Sequence, residues 1–106
     1  MLNADEVLRT VDELKANLAA STLTLTEVAH DLSFTTDDIR AVLDVDHVDP
    51  ADVWLLRDYL EQAVRDRGDQ PTAFTVLTES NRRRARSWFL LRAAPRHDFS
   101  GVATPA

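Results

Sequence analysis

The chain has 106 residues, 44% of them hydrophobic and 28% charged, with a formal net charge of −6. That length suits one domain with a modest core, and that balance excludes a mostly disordered chain. Cysteine is absent, which excludes disulfides, thiolate zinc sites and a cysteine nucleophile, and no apolar run approaches the roughly 20 residues of a membrane span.

Two glycines and four prolines favour helices over a many-turned β fold. The start, Met1 to Glu6, is acidic and lacks the positive start and apolar middle of a signal peptide, so a cytoplasmic location is expected. Asn3 is placed to cap a first helix, with Glu6 at capping-box spacing. Val7, Val11, Leu14 and Leu18 then fall on one stripe, and the helix should fade near Ala20 and Ser21. Thr24 opens a second helix with Glu27 at the box position, and Val28, Ala29 and Leu32 face inward. Ser33 and Phe34 make a short break. Thr35 caps a third helix, with Asp38 at the box position and Ile39, Val42 and Leu43 as its apolar face. Asp49 and Pro50 are the clearest punctuation, a good cap followed by a proline at home in the first helical position. A fourth helix follows to about Arg67. Val53, Leu56, Leu60 and Val64 lie along one side, Trp54, Leu55 and Tyr59 widen the apolar face, and Gly68 ends it. The aromatics Trp54, Tyr59, Trp88 and Phe89 are each expected in the core, with a dimer contact as the alternative.

Beyond Gly68 the character changes. Phe74 to Leu77 is short, β-branched and aromatic, which suggests a strand, and Ser87 to Leu91 is placed to pair with it as a hairpin. The alternative is one helix from about Ser80 to Ala94, because arginine, alanine and leucine are good helix formers. After Pro95 the chain reads as a loose tail. The charge is also uneven: residues 1–78 hold 6 Lys and Arg against 16 Asp and Glu, whereas residues 79–106 hold 6 against 2.

From Leu25 to Leu43, the small Ala29 at a close approach and the apolar Val28, Leu32, Phe34, Ile39 and Val42 at crossing positions resemble the helix-turn-helix of the repressor-type (lambda-repressor-like) DNA-binding superfamily. Ser33 departs from that pattern, which usually has glycine at the left-handed turn. A wider likeness covers the leading helix, this motif, Asp49-Pro50, the run from Trp54 to Leu60, then Phe74 to Leu77 and Trp88 to Leu90. In that order they resemble a family of small bacterial proteins, domain-of-unknown-function family 2316. The resemblance implies a bacterial cytoplasmic setting and supplies no activity.

The fold expected is therefore mainly α: a four-helix repressor-like helix-turn-helix domain over 1–94, with its motif at 25–43, a C-terminal β-hairpin or else a fifth helix, and a flexible tail over 95–106. In such a motif the second helix enters the major groove by its N-terminal residues, here Thr35, Thr36, Asp37 and Arg40. Asp37 and Asp38 oppose phosphate and are better explained as helix-dipole partners. A hairpin would place Arg82, Arg83, Arg84 and Arg86 at the tip of a basic wing able to grip phosphate. The competing reading has these arginines pair with the chain's own acidic helices. Two functions follow: a small DNA-binding transcriptional regulator, expected as a homodimer on duplex DNA, or a protein-interaction scaffold whose helix-turn-helix binds no DNA.

Other chemistry finds no support. Taking Asp44 as the first position of a calcium loop puts Asp49 where glycine is needed and Leu55 where glutamate is needed. His30, His47 and His97 lack zinc spacing. Gly68 and Gly101 stand alone, so no phosphate loop exists, and Ser21, Ser33, Ser80, Ser87 and Ser100 lack a nucleophile-elbow context. Glu27 and Asp31, with His30 beside them, imitate an acid–base group, but Glu27 belongs to the capping box. No catalytic residue, metal or cofactor is expected, and no membrane association.

Overall fold

The asparagine, threonines and aspartate singled out as caps set the helix starts in the computed structural model, which describes residues 2–95. Helix α1 spans Ala4–Ser21, α2 Leu25–Leu32, α3 Thr36–Leu43 and α4 Pro50–Asp66. Asn3, Thr24 and Thr35 each form a reciprocal capping box, with Glu6, Glu27 and Asp38 respectively. The Asp49 carboxylate accepts from the Ala51 amide at 2.9 Å, and Pro50 occupies the first turn of α4. Each cap satisfies backbone donors that the first turn leaves without partners, for about 1 kcal/mol apiece.

The link between α2 and α3 is tight. Ser33 takes a left-handed φ of 60°, the Phe34 amide donates to the Ala29 carbonyl at 2.8 Å and the Ser33 amide to that of His30 at 3.3 Å. This paired closure ends α2 and turns the chain at once into the Thr35 cap. Ala29 and Ile39 are both buried, so the two short helices close on each other around the expected residues. Gly68, with φ of 87°, ends α4 in a similar way.

One contiguous apolar cluster is built around α4, whose Leu56, Tyr59, Leu60, Ala63 and Val64 are fully buried, with Leu14 of α1 and Val28 and Ile39 of α2 and α3. Burial of each large aliphatic side chain contributes about 1.5–3 kcal/mol. The fully buried positions of α1 are mostly polar: Thr10, Asn17 and Ser21 face inward with Leu14, while Val7, Val11 and Leu18 are only half-buried. Thr10 and Ser21 donate to the Glu6 and Leu18 carbonyls of their own helix, so two of these buried hydroxyls are satisfied locally.

The C-terminal part corrects the preferred sequence reading. No strand forms among the described residues; a fifth helix, α5, spans Glu79–Arg86 and is capped by Thr78. This fits the alternative, although it ends well short of Ala94. Residues 74–77 run as an irregular extended segment whose Phe74, Val76 and Leu77 are buried. The physical reason lies in where the backbone groups go. Asn17 accepts from the Thr72 amide at 2.9 Å and donates to the Thr72 carbonyl at 3.0 Å, so a helix side chain serves as the pairing partner. Glu13 accepts from the Thr75 amide at 3.0 Å and Arg57 donates to the Leu77 carbonyl at 3.1 Å. Backbone groups satisfied in this way need no second strand. Trp88 and Phe89, expected in the core, lie outside it at 81% and 39% exposure, whereas Trp54 and Tyr59 are buried as expected. The tail expected over 95–106 lies, apart from Pro95, outside the described residues, as do His97, Ser100 and Gly101.

Candidate functional site

The residues expected to read DNA divide between two separate places. Thr35 is committed to capping: its hydroxyl accepts from the Asp38 amide and its own amide donates to the Asp38 carboxylate, each at 3.0 Å. Thr36 is half-buried in the first turn of α3. Asp37 and Arg40 are exposed and paired with each other at 3.0 Å. Asp44, at the end of α3, is paired with Lys15 of α1 at 2.9 Å. Between Thr24 and Asp49 the sequence has Glu27 and six aspartates against the single arginine Arg40.

The wing is not there, because its two strands do not form, and the four arginines sit on α5 instead. Arg82 is turned inward, with its side chain 12% exposed. Its guanidinium holds both carboxylate oxygens of Asp58, one of them at 2.8 Å, reaches Glu79 at 3.2 Å and stacks 4.9 Å from the Trp54 ring centroid. Hydrogen bonding to Asp58 is the largest influence on this group and, with Glu79, outweighs the opposing effect of burial, so the guanidinium stays firmly charged. Arg83, Arg84 and Arg86 are exposed and form no ion pair among the described residues.

Sequence reasoning missed the centre of this arrangement. Arg57, inside the apolar run from Trp54 to Leu60, is buried. It bonds the Leu77 carbonyl, pairs with Asp58 at 3.0 Å and Glu61 at 3.3 Å, and faces the Phe74 ring at 4.7 Å. Asp58 thus serves two guanidinium groups. An arginine at a position where α4 is otherwise apolar was the available signal.

On another side of α4, the fully buried Tyr59 donates to the Asp31 carboxylate and ties α2 to the core. Burial, then this hydrogen bond and the negative charges of Asp31 and Glu27, raise the phenol pKa above its ordinary value. A raised folded pKa makes a contribution that is complete below the unfolded pKa of about 10 and is lost as pH rises beyond it. Stability is therefore expected to decline above about pH 10. Tyr59 is the only tyrosine, so tyrosinate absorbance should appear together with unfolding rather than at the ordinary value. Tyr59→Phe should cost about 1–2 kcal/mol at neutral pH and remove this alkaline component. Ionisation at the ordinary value in a folded chain would contradict it.

Of the α5 arginines, Arg84 borders a different feature, a groove of about 870 Å³. Leu2, Glu6 and Val7 contribute from the start of the chain, Val45 from the loop after α3, and Arg84 and Trp88 from the C-terminal side. No residue of α2 or α3 lines it, so Arg84 is not brought into one site with Thr36 or Arg40. Among the described residues no cluster of His, Asp and Glu side chains suits a metal ion, and no helix is long and apolar enough to cross a membrane.

Residues 1–91, which take in all five helices and the exposed Trp88, match a family model described as an uncharacterized protein conserved in bacteria. The chain belongs to the DUF2316 family. Among curated proteins and solved structures, nothing matches it. The DUF2316 match thus covers both the acidic α2–α3 pair and the groove.

Proposed function

We propose that this DUF2316 chain is a protein-interaction module that keeps a repressor-like helix-turn-helix as scaffold and docks a cationic segment of a partner on its α2–α3 face. The observation that carries this reading is the charge of the helix pair: the four carboxylates Glu27, Asp31, Asp37 and Asp38 against Arg40, which is itself paired with Asp37, with Asp44, Asp46 and Asp49 following in the chain. A duplex presents about one phosphate charge per 1.7 Å, and binding it requires cations at the contact surface. Here α3 would carry Asp37 and Asp38 toward those phosphates. A lysine- and arginine-rich protein segment meets the same surface with complementary charge. Tyr59 and its bond to Asp31 support the reading by fixing α2, and hence the acidic face, on the core.

The regulator reading retains one favourable observation, the three exposed arginines Arg83, Arg84 and Arg86. A titration of the full chain with mixed duplex DNA across a salt series, beside one with a lysine- and arginine-rich helical peptide, decides between the two. Amide shifts over residues 36–43 should move with the peptide and stay still with DNA. Asp37→Asn should weaken the peptide by about 0.2–1 kcal/mol. DNA binding whose log affinity falls linearly with log salt would instead establish a nucleic-acid regulator.

A further inference from the structure

The groove between α1, α4 and α5 is a second surface, and no residue lining it belongs to the α2–α3 pair. Its floor is apolar, with Val53, Trp54 and Leu77 of the core beneath it. Trp88, which lines it, is 81% exposed, and Leu90, next in the chain after the lining residue Phe89, is 89% exposed. Exposed aromatic side chains, Trp88 and Phe89, on the wall of an apolar groove mark a contact surface rather than ordinary scatter. Backbone strain lies here too. Val45 lines the groove at a left-handed φ of 50°, a conformation that a β-branched residue avoids at a cost of about 1–2 kcal/mol.

The lining also carries both signs of charge. Glu6 comes from α1, with Asp5 exposed beside it, and Arg84 comes from α5, with Arg83 and Arg86 exposed nearby. No ion pair among the described residues joins Glu6 to Arg84, so neither charge is satisfied by the other. A patch holding an apolar floor, a projecting indole, an acid from one element and a base from another is complementary to itself. A twofold axis passing between the acidic and basic sides of the groove sets each sign against its opposite in the other copy and brings the two indoles to the facing grooves. An anionic membrane would suit the arginines and Trp88 but would be repelled by Asp5 and Glu6.

We infer that this groove is the homodimer interface of the protein, with Trp88 and Leu90 of each copy seated against the other copy's α1–α4–α5 groove. This goes beyond the docking reading of the α2–α3 face and stands without it. Sedimentation of the full chain over a concentration series should show a mass rising toward twice 11.9 kDa. Dilution should shift tryptophan emission to the red as Trp88 leaves the groove, while the buried Trp54 supplies a constant background. Trp88→Ser with Leu90→Ser should raise the dimer Kd about 100-fold or more, the effect of losing central apolar anchors, with an unchanged circular dichroism spectrum because both side chains are exposed. Arg84→Glu should weaken the dimer about tenfold. A chain that stays at monomer mass at all concentrations overturns the inference, as does a double serine variant that remains dimeric. A monomer whose emission shifts to the blue only on vesicles of phosphatidylglycerol assigns the patch to a membrane surface, and equally overturns it.

Discussion

Arg57→Ala is expected to destabilise the chain by about 3–5 kcal/mol, the range for removing one partner of a buried ion pair. The side chain is 8% exposed and holds three things together: the Leu77 carbonyl, the carboxylates of Asp58 and Glu61, and the face of the Phe74 ring. Its loss leaves the Leu77 carbonyl without this donor and strips Glu61 of its nearer cation, at 3.3 Å against 4.0 Å for Arg65. Asp58 keeps Arg82. A small domain has only about 5–15 kcal/mol of stability in total, so the change consumes a large fraction of it. Arg57→Met separates the contributions, because it retains packing against Phe74 and Trp54 while removing the charge. If the charge network dominates, methionine recovers little of the loss. Urea unfolding with an unchanged slope measures both variants. A loss below about 1 kcal/mol for the alanine variant would mean that water replaces the guanidinium at little cost.

This buried arginine also marks where sequence reasoning stopped. The first four helices were legible because their signals are local. A cap and its box residue lie three positions apart, and Asn3 with Glu6, Thr24 with Glu27 and Thr35 with Asp38 all form as read. The segment from Phe74 to Leu77 was misread because its composition suits a strand while its partners are distant. Asn17 meets Thr72 across 55 positions and Glu13 meets Thr75 across 62. No local propensity records that a helix side chain will stand in for a neighbouring strand. The inner face of α1 was hidden for a related reason. Thr10 and Ser21 are buried because each bonds a carbonyl of its own helix, which a hydrophobic pattern cannot register.

The candidate sites were legible in composition and not in geometry. The acidic character of residues 24–49 is visible in the sequence, and the structure adds that Arg40 is paired rather than free for phosphate. The arginine run looked uniform, yet helical phase divides it. On α5, Asn81, Arg82 and Ala85 are half-buried, while Arg83, Arg84 and Arg86 are exposed. Taking the segment as a hairpin concealed that division. Trp88 was expected inside because large apolar residues often are, but that tendency does not bar exposure of an individual residue.

Arg82→Ala is expected to detach α5 rather than unfold the chain. The helix has no buried residue, so its apolar contribution to docking is small and its attachment rests on polar contacts. Arg82 supplies most of these through both oxygens of Asp58, Glu79 and the face of Trp54, and Asn81 adds a bond to the Val76 carbonyl. Amide exchange over residues 79–89 should approach that of an open segment, while exchange in α1 and α4 stays slow. The loss at neutral pH should be about 1.5–3 kcal/mol, the worth of hydrogen bonds to charged groups. Asp58→Asn combined with Arg82→Ala should give a coupling of about 0.5–3 kcal/mol, below the sum of the single losses because Arg57 shares the same carboxylate. Arg82→Lys should fall between, since it keeps the charge and loses the fork and the stacking surface. Unchanged protection over 79–89 in the alanine variant would show that Arg82 does not hold α5. The same logic governs any test of phosphate binding by these arginines. A defect in Arg82→Ala would report a displaced helix, so the informative substitutions are Arg83, Arg84 and Arg86, whose side chains the fold does not use.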